Sequence, residues 1–245
     1  MTKKYEIIVV GGGHAGCEAA YAAAKKGHRT LLITTNVKNI ADMPCNPSIG
    51  GTAKGIVVRE IDALGGVMGE VADKTKLQIK MLNLKKGPGV RSLRAQIDKE
   101  EYHNEMLKII EKEKNLTLIE DMVTKINIEN KEVKGISTSN KKEYKANKVI
   151  LTTGTYMNAC TMVGDKKTPG GPHNEKESLF LSDHLKDEGL NIIRLKTGTP
   201  PRIDKNSIDF DKMSLEPGDK EYLYFSNYYE KKYDIDNQVP CYLTY

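Results

Sequence analysis

The sequence predicts an α/β protein that opens on a β-α-β unit, and three observations carry that prediction. An apolar run at residues 5–10 passes through a glycine-rich turn at 11–16 into an alanine-rich helix at 19–26, and a second apolar run follows at 29–34. Short strand-like segments separated by polar turns then fill about 116–147. The stretch 148–154 returns as an apolar strand ending in Thr153-Gly154, as a chain does when it re-enters its main sheet after a meander.

The elements follow in order from local chemistry. Gly27 closes the first helix. Beyond the second strand, Pro44 and Pro47 flank Cys45-Asn46. Asn46 is expected to cap a helix with Pro47 at its first position, where a missing N–H costs nothing. Val57, Ile61 and Leu64 recur at helical spacing until Gly65-Gly66 stops the run. A long helix is expected from near Gly89 to Asn115, with Met106, Ile109 and Ile110 on its buried side. Segments 116–119, 123–128, 133–137 and 148–152 read as strands, with Glu129-Asn130 and Ser139-Asn140 as turns. A Gly/Pro-rich stretch at 168–172 precedes an amphipathic helix around 178–188, and 192–195 reads as a strand. The tyrosine-rich tail from 204 to 245 reads as irregular, the exposed remnant of a sheet without its partner strands.

Composition bounds the rest. With 245 residues, 38% of them hydrophobic and 29% charged, the chain can bury the core of one large domain or two modest ones. No apolar run approaches the ~20 residues that span a bilayer. The run after Met-Thr-Lys-Lys is too short for a secretory signal, so a cytoplasmic protein with no membrane association is expected. A net charge of +5 is compatible with nucleic acid without arguing for it. Cys17, Cys45, Cys160 and Cys241 form no C-x-x-C pair, so neither a metal site nor a disulfide framework is expected.

The turn Gly11-x-Gly13-x-x-Gly16 sits between a strand and a helix, which turns a weak motif into a dinucleotide fingerprint. The first glycine permits the tight turn and the second the approach of backbone to a pyrophosphate. The third lets helix pack on strand, while the helix start attracts the negative charge. The acidic residue that usually ends the second strand is replaced by Thr34, so Thr34, Thr35 or Asn36 would meet the ribose with a neutral group. The order of β-α-β unit, meander and Thr-Gly strand resembles the FAD half of glutathione reductase-like flavoproteins. The expected fold is therefore a Rossmann-like FAD-binding domain of the two-dinucleotide-binding type, with the start of an inserted second domain.

Three further runs are more specific. They are Met43-Pro44-Cys45-Asn46-Pro47-Ser48-Ile49-Gly50-Gly51 with its continuation to Gly66, Leu84-Lys85-Lys86-Gly87-Pro88-Gly89-Val90-Arg91 with Arg94-Ala95-Gln96, and Arg194-Leu195-Lys196-Thr197-Gly198-Thr199-Pro200-Pro201-Arg202-Ile203-Asp204. With the glycine loop they resemble the MnmG (GidA) family to about Asp209. The resemblance implies an FAD-dependent enzyme that works with the GTPase MnmE. Such enzymes use NADH, methylenetetrahydrofolate and glycine or ammonium to place a carboxymethylaminomethyl or aminomethyl group on C5 of wobble uridine in tRNA. It implies FAD contacts at Gly11, Gly12, Gly13, His14, Ala15, Gly16, Val123 and Ser178, a reacting cysteine at Cys45, and a homodimer at full length. It also implies that 1–200 form the FAD-binding domain and that 201–245 begin an inserted NADH-handling domain, truncated at Tyr245. A related folate- and FAD-dependent tRNA uridine methyltransferase (TrmFO) and an idle flavin-binding fragment are the rival readings.

Each candidate has a plainer alternative. Cys45, before the expected helix start, is placed to favour the thiolate that adds to uridine C6, or is simply a loop cysteine. Lys85, Lys86, Arg91 and Arg94, like Arg194, Lys196 and Arg202, hold anionic groups or line a solvated turn. His14 reads as a loop-packing residue, because a pyrophosphate offers a general base no proton. Cys17 reads as structural.

Overall fold

A strand that is apolar on both faces suits the interior of a parallel sheet. The computed structural model, which describes residues 4–171, 175–229 and 231–244, places the run Ile7-Ile8-Val9-Val10 there. In chain order the strands are β1 (Ile7–Val10), β2 (Thr30–Thr34), β3 (Ser48–Gly50), β4 (Lys76–Leu82), β5 (Ser92–Ile97), β6 (Leu116–Glu120) and β7 (Val123–Glu129). They continue with β8 (Glu132–Thr138), β9 (Glu143–Lys145), β10 (Lys148–Leu151), β11 (Cys160–Val163), β12 (Lys166–Pro169), β13 (Ser214–Glu216) and β14 (Cys241–Leu243). The helices are α1 (His14–Lys25), α2 (Lys54–Ala63), α3 (Met68–Thr75), α4 (Lys99–Lys112) and α5 (Leu181–Asp187). Two compact units share them: Met1–Pro44 with His103–Lys196, and Cys45–Tyr102 with Thr197–Tyr245.

The first unit is the α/β one. Its parallel sheet runs β10-β1-β2-β6, so β1 has its sequence successor β2 on one side and the returning β10 on the other. The strand β6 departs from expectation. Leu116–Glu120 joins the parallel sheet against β2 rather than opening the meander, which consists of β7, β8 and β9 alone. A core of Ile8, Leu31 and Ile33 from the sheet, Ile126 and Ile136 from the meander and Leu181 from α5 holds the layers together. Each such side chain contributes on the order of 1.5–3 kcal/mol. Thr168 and Pro169, expected in a loop, end the hairpin β11–β12. The segment 192–195 forms no strand.

The second unit is built on the antiparallel sheet β3-β5-β4. Two expectations fail here. Asn46 and Pro47 start no helix: Ser48–Gly50 pairs with β5, the Pro47 carbonyl accepts from the Ile97 N–H at 2.7 Å, and α2 begins at Lys54. The long helix from Gly89 is likewise a strand followed by a helix. Leu93, Ala95 and Ile97 are buried at period two, the signature of a strand face, and α4 starts only at Lys99. The Asp98 carboxylate opens it by accepting from the Glu100 and Glu101 N–H groups, each at 3.1 Å.

The tail is ordered by this sheet. Ser214–Glu216 pairs with Cys241–Leu243, and the tail also covers the edge of β4. The Met81 N–H donates to Asp219 Oδ2 at 2.7 Å and the Ile79 N–H to Gln238 Oε1 at 2.8 Å. Among the described residues no helix is long and apolar enough to cross a membrane.

Candidate functional site

The glycine loop lies at the carboxyl end of β1, where the sheet order turns from β2 to β10, the place at which open α/β sheets bind ligands. Gly11 takes φ +110°, and a Cβ there would strike the Thr152 carbonyl oxygen. A Cβ at Gly16 would strike the Gly11 carbonyl oxygen, and one at Gly12 would come within 2.6 Å of Ile40. Thr152 fastens the loop to β10, its hydroxyl 2.9 Å from the Val10 carbonyl and 3.1 Å from that of Gly11. Gly13 differs from its neighbours. It has ordinary φ, and a Cβ on it would meet no protein atom within 4 Å. Gly13 is also the N-cap of α1, and no side-chain hydrogen bond caps that helix start. The protein's own packing demands Gly11, Gly12 and Gly16, and leaves Gly13 as an open cradle.

The other predicted contacts follow the two outer strands of this sheet, β6 and β10. The chain leaves β6 through Asp121, whose N–H donates to the Thr34 carbonyl at 2.9 Å, and reaches the buried Val123 two residues on. Ser178 bridges to Met157 just beyond β10; its N–H donates to Tyr156 O at 2.8 Å and its carbonyl accepts from Asn158 N at 2.9 Å. Its backbone is spent on that anchoring.

At the end of β2 the sequence shows only neutral groups, but the fold brings carboxylates to them. Thr34 lies opposite Glu120, whose Oε2 accepts from the Val37 N–H at 2.8 Å. Asn36 donates through Nδ2 to Glu175 Oε1 at 3.0 Å. Reading only the β2 terminus misses both glutamates; for Glu120 the signal was a charge ending an apolar strand one position over. For Glu175, 139 residues away from Asn36, there was none.

Burial lowers the His14 imidazole to about 4, against an opposing pull from Asp42, so the ring is neutral at pH 7. Burial pushes the Cys17 thiol up to about 12, and its S–H donates to the Gly12 carbonyl at 3.4 Å. Cys17 is an inert packing residue.

Cys45 lies in the second unit and is exposed, its Sγ 3.5 Å from the Thr199 hydroxyl. The helix expected to start at Asn46-Pro47 is not there, and α2 starts nine residues after Cys45. The fold supplies instead Thr199 as a hydrogen-bond partner and Arg94, whose Nη2 reaches Ser48 Oγ at 3.5 Å beside the Cys45 loop. Arg91 donates to the Leu84 carbonyl at 3.2 Å, while Lys85 and Lys86 project into solvent. Arg194 belongs to the first unit and donates to the Asn158 carbonyl at 3.1 Å.

A Rossmann-type sheet with a glycine cradle at its switch point defines a dinucleotide-binding protein of the flavoprotein fold. The particular family follows from comparison. The family described as "Glucose inhibited division protein A" (GIDA) matches residues 6–245, and the chain belongs to it. It is 51% identical over 241 residues to the tRNA uridine 5-carboxymethylaminomethyl modification enzyme MnmG of Bacillus thuringiensis (strain Al Hakam), covering 98% of this chain and 38% of that one. With the enzyme of the same name from Geobacillus thermodenitrificans (strain NG80-2) the identity is 52%, with the same coverage. The chain thus spans well under half the length of these relatives. The crystal structure of Aquifex aeolicus GidA superposes with a TM-score of 0.93 at 45% identity, covering 98% of this chain and 41% of that chain.

Proposed function

We infer that this chain is the FAD-binding portion of an enzyme that modifies uridine at position 5 in tRNA, the reaction its relatives' name describes, and that the uridine is the wobble one. The identity of 51% over 98% of the chain to proteins named for that reaction is the observation that carries the reading. The local chemistry fits. The first-turn N–H groups of α1 and the open face of Gly13 receive the pyrophosphate, Val123 meets the adenine through its backbone, and the Ser178 hydroxyl adds a side-chain contact. Asn36, with Glu120 and Glu175 beside it, takes the place of the usual ribose acid. When bound, FAD supplies reversible redox chemistry that the side chains here lack.

Cys45 is the nucleophile in this reading. Its sulfur adds to uridine C6, and the C5–C6 π pair moves onto C5, which becomes nucleophilic towards a one-carbon unit. Loss of the C5 proton and expulsion of the thiolate then restore the ring. Arg94, which reaches Ser48 beside that loop, offers a cation to phosphate. Methylenetetrahydrofolate as carbon donor, NADH as reductant, an MnmE-type GTPase as partner and a homodimer belong to the full-length protein in this account. So does the continuation of 201–245 into an NADH-handling domain.

The test is nucleoside analysis of tRNA from cells whose full-length protein carries Cys45→Ser. The modified wobble uridine disappears while purified protein keeps its flavin. Undiminished modification removes Cys45 from the reaction.

A further inference from the structure

We propose that Tyr224–Asn227 is a positioning clamp for the Cys45 loop, with Asp73 and Phe225 as its working residues; this rests on the reading of Cys45 as the reacting thiol. The clamp is held by carboxylates. The Asp73 side chain is fully buried on α3, and its Oδ2 accepts from the Phe225 and Ser226 N–H groups, both at 2.9 Å. Asp62, buried near the end of α2, accepts from the Asn227 N–H through Oδ2 at 3.0 Å. Arg59 donates to the Tyr224 carbonyl at 3.0 Å. Three consecutive amides of an otherwise irregular tail are thus anchored on two buried carboxylates. The counter-charge is the Lys76 ammonium, 3.4 Å from Asp73 Oδ1 and lying over the rings of Tyr224 and Tyr233 at 4.5 and 4.0 Å.

What the anchor delivers is Phe225. Its flanking tyrosines Tyr222 and Tyr228 are exposed, whereas Phe225 is wholly buried. The ring lies over Gly50, where a Cβ would come within 2.8 Å of Cζ, and the Phe225 Cβ faces Gly69. Gly50, at φ +92°, ends β3, the strand that leads directly out of Cys45-Asn46-Pro47. On one side β3 is held by β5. The Phe225 ring presses on its exit, so loosening the tail releases the strand from which the Cys45 loop hangs. Glycine at 50 and a flat ring at 225 are a matched pair, and nothing in local sequence links positions so far apart.

The experiment uses the full chain and measures amide hydrogen exchange by mass spectrometry with the rates at which Cys45 and Cys160 react with iodoacetamide. The variants are Phe225→Ala, Phe225→Leu and Asp73→Asn. Phe225→Ala and Asp73→Asn raise exchange of the 48–51 amides at least about tenfold and shift the Cys45/Cys160 rate ratio by about threefold or more. Phe225→Leu, which still covers Gly50, restores both towards the parent. Exchange at 7–10, in the other unit, reports global unfolding; if Phe225→Ala alone unfolds, Asp73→Asn decides. Loosening of 222–229 with 48–51 and the rate ratio unmoved overturns the clamp. Neither readout needs catalysis, so a failure of Cys45 as nucleophile shows separately, in the tRNA of Cys45→Ser.

Discussion

His14 occupies the first turn of α1, inside the loop that would receive a pyrophosphate, and its neutrality has a thermodynamic consequence. In the unfolded chain an imidazole titrates near 6.5, and in the fold near 4. Between those values the unfolded state binds more protons, so stability is intact above about pH 6.5 and falls as the pH drops towards 4. The loss attributable to this residue is roughly 2–3 kcal/mol. His14→Gln flattens the difference in urea midpoint between pH 7 and pH 4; an undiminished slope assigns the acid sensitivity elsewhere. Gly16 tests a different property. Its missing Cβ is required by the Gly11 carbonyl, so Gly16→Ala lowers thermal stability with or without flavin, by about 1–3 kcal/mol. A variant as stable as the parent would mean that the loop yields more easily than its packing indicates.

At the scale of elements, β4 shows how an edge strand is protected. Its N–H groups at Ile79 and Met81 are met by the side chains of Gln238 and Asp219. Asp219→Ala leaves one of those amides unpaired and costs about 1–3 kcal/mol, measurable as a lower denaturant midpoint with unchanged slope. A change below a few tenths of a kcal/mol would show that water replaces the carboxylate at no loss. The same contacts explain what was legible in the sequence. The β1-α1-β2 unit could be read because its periods, its glycines and its partners all lie within thirty-odd residues of one another. In α2 the helix is where Val57, Ile61 and Leu64 placed it, but the buried side is Gly55, Val58 and Asp62, with Val57 and Leu64 exposed. Asp62 faces inwards because a tail amide arrives 165 residues later, information that no window of α2 contains. The strand β5 was misread as helix, because its alternation of Leu93, Ala95 and Ile97 runs straight into the longer helical pattern of α4. The tail read as irregular because its order is borrowed from β4 and α3.

For the whole molecule, the sequence pointed to the family and the loop, and the fold adds which of the loop's glycines the protein's own packing leaves open. Gly11, Gly12 and Gly16 are compelled by protein packing, so their identity says little about what binds; Gly13 alone faces open space. The reading of the glycine loop as the flavin's pyrophosphate site is therefore tested most directly at Gly13. The direct measurement is a fluorescence-quenching titration of FAD into the parent and Gly13→Ala, with thermal unfolding of both in the absence of flavin. The account predicts equal melting temperatures, because alanine at position 13 meets no protein atom, and FAD affinity weakened at least about tenfold, because its methyl stands where backbone must approach the pyrophosphate. Equal affinity in a protein of equal stability would contradict it, and the glycine loop would then be a turn and not a cofactor site.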